Sequence, residues 1–156
     1  MLRTLLLFVT LFAATFGCLC IGVLNPKPNV KFCKSDAVAV FRIENVIPTE
    51  DFRCLRYSAR PLHVYKSVYG NPGEDSQPNT NYLMTVDTSR GNTICGVTWL
   101  KEGKDYLLNG DYNVNNRTLK ISRCRQLANR EWSLVSEDLK KALDRGSYLS
   151  CPTDRN

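Results

Sequence analysis

From residue 37 onward the chain is written in short β-type runs of apolar, β-branched and aromatic residues separated by polar turns. The run AVAVFRIENV (37–46) is rich in β-branched and aromatic residues and alternates past Phe41, which predicts a first strand. RYSARPLHVYKSVYG (56–70) predicts a second, longer strand, in which Pro61 marks an edge or a bulge because proline cannot donate to a ladder. A turn-rich stretch, GNPGEDSQPNTN, separates it from YLMTVD (82–87), and DYLLNGDY (105–112) and TLKIS (118–122) predict two further strands. Residues 112–118, with Asn113, Asn115 and Asn116, form a polar turn between the last two. Within it Asn116-Arg117-Thr118 is an N-glycosylation sequon, a candidate that suits an exposed position in a secreted chain.

A helical pattern is found only late in the chain. Ser136 can cap a helix whose first turn holds Glu137 and Asp138, acids suited to the positive end of the dipole, and whose Leu139, Ala142 and Leu143 share a face. Gly146 follows as a stop. Five short strands followed by one helix predict a mainly-β fold, a small closed or nearly closed barrel of the OB type. No internal repeat or low-complexity linker divides the chain, so a single domain is expected.

The first residues follow a different pattern. Arg3 opens a short positive region, Leu5 to Phe12 are apolar apart from Thr10, and the small residues Thr15 and Gly17 precede Cys18. This reads as a secretory signal peptide over 1–17, with a domain over 18–151 and a short tail over 152–156. The apolar stretch is short for a membrane span. A lipoprotein signal also places cysteine after the cleavage point, but Thr15 and Phe16 do not fit its usual pattern. Removing Arg3 takes the basic count from 21 to 20 against 15 acids, a mature charge of about +5. That excess suggests weak attraction to anionic glycosaminoglycans, with Arg123, Arg125, Arg130, Lys140 and Lys141 as a candidate patch, although a solvated basic face is the plainer reading. No nucleic-acid motif and no second apolar span is present, and a monomer without stable membrane insertion is expected.

All seven cysteines, Cys18, Cys20, Cys33, Cys54, Cys95, Cys124 and Cys151, fall after the signal. In an oxidising compartment they imply a disulfide framework with one left over, and counting alone does not settle the pairing. Three lie near the mature N-terminus and three in the second half, so bridges between the groups would close long loops. Each would be worth about 4–5 kcal/mol on a chain-entropy treatment. Nucleophilic catalysis would have to use the lone histidine, His63, which no other motif supports. The acidic pairs Glu50-Asp51, Glu74-Asp75 and Glu137-Asp138 are sequence neighbours that face different ways. There is no HExxH, phosphate loop or CxxC, and Cys18-Leu19-Cys20 is too tight for the usual redox geometry. An enzyme is therefore not expected, nor is a cofactor of the chain's own.

The residues instead resemble a family. A mature N-terminal Cys18-Leu19-Cys20 followed by Phe32-Cys33-Lys34-Ser35-Asp36-Ala37-Val38 is similar to the tissue inhibitors of metalloproteinases (TIMPs). RYSARPLHVYKSVYG resembles their second strand, Ile94-Cys95-Gly96 their Cys-Gly corner, and ISRC, EWSLVSEDLKKAL and Cys151 their closing strand, helix and last cysteine. The resemblance implies a netrin-like Greek-key barrel and, by position, the pairs Cys18–Cys95, Cys20–Cys124 and Cys33–Cys151, with Cys54 unpaired. Three features depart from the family pattern. The twelve residues between Cys20 and Cys33 exceed the usual spacing and contain LNPKPNVK, SRGNT precedes Ile94, and no second cysteine-rich subdomain follows Cys151.

The resemblance also implies a mechanism. The free amine and backbone carbonyl of Cys18 would chelate the catalytic zinc of a target metalloproteinase in place of its water. That zinc belongs to the target. Leu19 would fill the S1′ pocket, and Cys20, Ile21, Thr93, Ile94 and Cys95 would complete a protease-binding ridge. Expected partners are secreted or cell-surface zinc metalloproteinases of the matrix or ADAM type, met in the extracellular space or matrix. The alternative is a non-inhibitory netrin-like module that binds a matrix protein, growth factor or glycosaminoglycan. An anchored or lipidated surface protein is the third reading.

Overall fold

A computed structural model describes residue 20 and residues 26–67, 82–91 and 95–151. The described elements, in order, are α1 (Pro28–Cys33), β1 (Ala37–Ile47), β2 (Cys54–Lys66), β3 (Met84–Ser89), β4 (Asp105–Asn113), β5 (Thr118–Lys120) and α2 (Glu137–Asp144), with 3₁₀ turns at Arg123–Arg125 and Trp132–Leu134. The five strands close into a barrel in the order β1-β2-β3-β5-β4. All neighbours are antiparallel except β3 and β5, which run parallel. This is the mainly-β, closed OB-type barrel that the strand pattern predicts, in the Greek-key form that the resemblance implies, with the helix at its C-terminal end.

Two apolar clusters explain why the strands do not alternate cleanly. Phe41, Ile43, Tyr57, Val86, Tyr106 and Leu119 fill the barrel. Phe32, Val38, Val40, Tyr65, Leu107 and Leu143 form a second cluster outside it, drawing on α1, α2 and the outer strand faces. Positions 38–41 of β1 are therefore buried on both faces, and alternation emerges only past Phe41, where the outer face meets solvent. Cross-strand pairs such as Arg42–Asp105 at 2.8 Å and Arg56–Asp87 at 2.7 Å lie at ladder partners. Each such pair is worth roughly 0.2–1 kcal/mol.

Pro61 is buried opposite Phe41 at a register shift, past Ala59, the last β2 residue paired with β3. It thus combines both devices, a bulge toward β1 and no ladder partner in β3. The predicted boundaries move by a few residues. β2 spans Cys54–Lys66 rather than 56–70, β3 is shifted to Met84–Ser89, and β5 ends at Lys120 instead of Ser122.

The pattern predicts one helix, and the described chain holds two. α1 begins within LNPKPNVK, with Pro28 at its first turn and no side-chain cap. Proline at that position lacks only a donor the helix would leave unused, and its fixed φ suits helix entry. Six residues are too few to show a period, so α1 is held by packing of buried Phe32 and by the Cys33 bridge. α2 follows its signals closely. The Ser136 side chain accepts from the Leu139 amide, and Gly146 (φ 66°) closes the helix as the Gly146 and Ser147 amides donate to Leu143 and Ala142.

The Tyr65 hydroxyl donates to Asp144 Oδ1 at 3.2 Å, joining β2 to α2. Burial, reinforced by that carboxylate, pushes the phenol well above its ordinary value, and burial also raises Tyr57 and Tyr106. Raised folded-state values mean that the folded chain keeps protons the unfolded chain releases above about pH 10. The associated stability is present below that pH and is lost as pH rises through it. Denaturation midpoints are therefore expected to fall above about pH 10, and less steeply in Tyr65→Phe. Superimposable alkaline limbs for the two proteins would remove Tyr65 from this linkage.

Candidate functional site

Three cysteines converge where β3 and β5 deliver the chain. Cys124 sits on the 3₁₀ turn just after β5 and is buried. It is disulfide-bonded to Cys20, Cα–Cα 5.3 Å, across a sequence separation of 104. Its Sγ lies 3.4 Å from Sγ of Cys95. Both sulfurs are oxidised, so neither carries a proton and the approach is a packing contact between two disulfides. Cys20 and Cys95, from the two predicted halves of the ridge, are thus brought to one place and both are half-buried. The partner that the resemblance assigns to Cys95, Cys18, lies outside the described residues, as do Leu19, Ile21, Thr93, Ile94 and the signal 1–17.

The backbone around Cys95 is tightly specified. Cys95 has φ 56°, a left-handed conformation that costs a non-glycine residue roughly 1–2 kcal/mol. It is held by its bridge and by the Arg123 amide, which donates to its carbonyl at 2.8 Å. A Cβ on Gly96 would collide with the Ser89 carbonyl, so only glycine lets the corner pack against the end of β3. The Val97 amide then donates to Oγ1 of buried Thr88 at 2.9 Å. The Cys-Gly dipeptide is therefore one bonded residue in a strained turn followed by one with no room for a side chain.

A buried polar clasp holds the other half. The Asn109 amide donates to Gln126 Oε1 (3.2 Å), and Gln126 Nε2 returns a bond to the Asn109 carbonyl (2.7 Å). Asn109 Nδ2 donates to Ser35 Oγ and to the Arg125 carbonyl, both at 2.8 Å, while its Oδ1 accepts from the Leu127 amide at 2.8 Å. Lys31 Nζ reaches the Gln126 carbonyl at 2.9 Å. All three side chains, Ser35, Asn109 and Gln126, are buried. They tie α1 and β4 to the turn that carries Cys124; the sequence reading missed Asn109 and Gln126 and met Ser35 only within the family motif. The available signal was Asn109 itself, an amide inside the apolar run YLLNG.

The second bridge is Cys33–Cys151, separation 118, which joins α1 to the end of the domain. Loops of these lengths correspond to about 4–5 kcal/mol per bridge on the chain-entropy treatment. Cys54 carries a free thiol and is half-buried at the start of β2. His63 is exposed on β2 with its ring against Tyr65, beside a cleft of about 520 Å³ also lined by Asp144 and Tyr148. Of the basic candidates, Arg125 makes a bidentate pair with Asp111 (2.6 and 2.7 Å), Lys140 pairs with Glu137 over the Trp132 ring, and Arg123 lies over Trp99. Among the described residues no group of three or more His, Cys, Asp or Glu side chains is placed to hold a metal ion, and no helix is long and apolar enough to cross a membrane.

A closed five-stranded OB-type barrel, stapled by long-range disulfides that draw its N-terminal segment onto the end of β5, defines a netrin-like domain. Residues 17–153 match the family described as tissue inhibitor of metalloproteinase, and the chain belongs to that family. No match is found among curated proteins. The family is one of inhibitors, not enzymes, its members are generally secreted, and its partners are metalloproteinases.

Proposed function

We infer that this inhibitor acts through the N-terminus exposed when residues 1–17 are removed. The α-amine and carbonyl oxygen of Cys18 take two positions on the target's catalytic zinc and displace the water that would attack the substrate. Leu19 enters the S1′ pocket, and Cys20, Ile21, Thr93, Ile94 and Cys95 line the contact on either side. The supporting observation is the disulfide stack, in which Cys20 is bonded to Cys124 and Cys124 Sγ lies 3.4 Å from Cys95 Sγ. A chain held in this way loses little freedom on binding, so more of the contact energy appears as affinity.

The chain beginning at Cys18, its N-terminus confirmed by intact mass, is expected to titrate a matrix metalloproteinase catalytic domain one to one. Leu19→Gly removes a side chain whose full burial is worth about 1.5–3 kcal/mol. The inhibition constant should therefore rise by roughly 10- to 150-fold while the stoichiometry is kept. An unchanged constant would take Leu19 out of the pocket. Absence of inhibition by the Cys18 form across several matrix and ADAM-type enzymes would favour the netrin-like binding module instead.

A further inference from the structure

We propose that Asn116 carries an N-linked glycan, attached before the β4–β5 hairpin closes and standing at the barrel end remote from the stacked disulfides. Asn116 is exposed in the turn between Asn113, the last residue of β4, and Thr118, the first of β5. The turn is set by left-handed Arg117 (φ 52°) and by the Asn115 amide donating to Asn113 Oδ1 at 3.0 Å. The proposal rests on the secretory route that the family membership supports.

Thr118 supplies the timing. The sequon is recognised through the hydroxyl two residues after the asparagine, presented together with the acceptor amide. In the folded chain Thr118 is 5% exposed, pairs with both Asn113 and Thr85, and its hydroxyl donates to the Asn116 carbonyl at 3.3 Å. A transferase cannot engage it there, so transfer occurs on the entering, unfolded chain. The Asn116 amide nitrogen attacks the anomeric carbon of a lipid-pyrophosphate-linked oligosaccharide. A C–N bond forms as the C–O bond to pyrophosphate breaks, one amide proton passes to a base, the lipid pyrophosphate departs, and no oxidation state changes.

Topology supplies the placement. β3 and β5 run parallel with Thr85 beside Thr118 and Asp87 beside Lys120. Both start at the hairpin end. At their far ends the Ser89 carbonyl abuts Gly96, and β5 leads through Arg123 to Cys124. A sugar on residue 116 therefore points away from the cysteines. It stands beside two exposed apolar side chains, Val114 and Leu83. Leu83 is brought close because the Thr85 amide donates to the Arg117 carbonyl at 3.2 Å.

The test is translocation of the full mature chain into microsomes, which hold the transferase and its donor, behind an established leader in place of residues 1–17. A parallel sample with the chain's own N-terminus reports separately on the secretory reading. Expected is a mass excess removed by peptide N-glycosidase with one deamidation at position 116, absent from Asn116→Gln and from Thr118→Val. The polypeptide mass alone behind the established leader overturns the proposal. Chain that is oxidised and refolded first should remain unmodified when offered to solubilised microsomes, and its modification would overturn the timing. Glycosylated and Asn116→Gln proteins should inhibit a metalloproteinase equally, and a weaker glycosylated form would overturn the placement.

Discussion

A form of the mature chain carrying one alanine before Cys18 is expected to inhibit at least about 1,000-fold more weakly than the form beginning at Cys18, a loss of ~4 kcal/mol at 1.4 kcal/mol per decade. The physical reason is the nitrogen. As an α-amine with an unperturbed pKa near ~7.7–8.0, it has a lone pair free for a metal once its proton leaves, at little cost near neutral pH. As a peptide nitrogen its lone pair is delocalised into the carbonyl, and the bond is planar and short. The added residue also lengthens the main chain just where it would meet the zinc. Nothing else need change, because Cys20 remains bonded to Cys124 and the barrel does not depend on the extra residue. Equal denaturation midpoints with unequal inhibition is thus the expected pattern, read by titrating both forms against one catalytic domain. Equal inhibition would move the contact away from Cys18.

The proposed chemistry lies in a few N-terminal residues, most of which fall outside the described structure. Cys18-Leu19-Cys20 draws notice by its place below an apolar run, but its role, and the choice of Ile94-Cys95-Gly96, come from the resemblance to the inhibitor family. The barrel was legible for a different reason. β-Branched, aromatic and other apolar residues are concentrated in five runs separated by polar turns, and each run becomes a strand within a few residues of its predicted ends. What stayed hidden depends on contacts across the chain. The helix α1 is too short for periodicity and is made by burial of Phe32 and the Cys33–Cys151 bridge, whose ends are 118 residues apart. The pairing of Arg125, a candidate for a basic patch, with Asp111 also depends on the fold, which brings the turn after β5 beside β4. Likewise the glycine of the Cys-Gly corner is explained only by the Ser89 carbonyl against it.

The Asn109–Gln126 clasp is where a small change is expected to cost the fold most. Asn109→Leu keeps the size and removes the side-chain amide, orphaning the Arg125 carbonyl and the Leu127 amide from the bonds it now makes, while the Ser35 hydroxyl keeps its bond to the Lys31 carbonyl. Each orphaned group costs about 1–3 kcal/mol where water cannot replace the partner, so a total of about 3 kcal/mol or more is expected in denaturant unfolding. Gln126→Leu should cost a similar amount by a different route. It strips both partners from the Asn109 backbone amide and carbonyl, in a residue that is 0% exposed. Because the two changes break one network, the double variant should lose less than the sum of the singles. The clasp also fixes the turn that carries Cys124, so at temperatures where either single variant is fully folded its inhibition should still be weaker than that of the parent. A loss below about 1 kcal/mol would show that ordered water takes up the abandoned bonds. Unchanged inhibition would confine the clasp to stability and leave the Cys20–Cys124 bridge to set the ridge unaided.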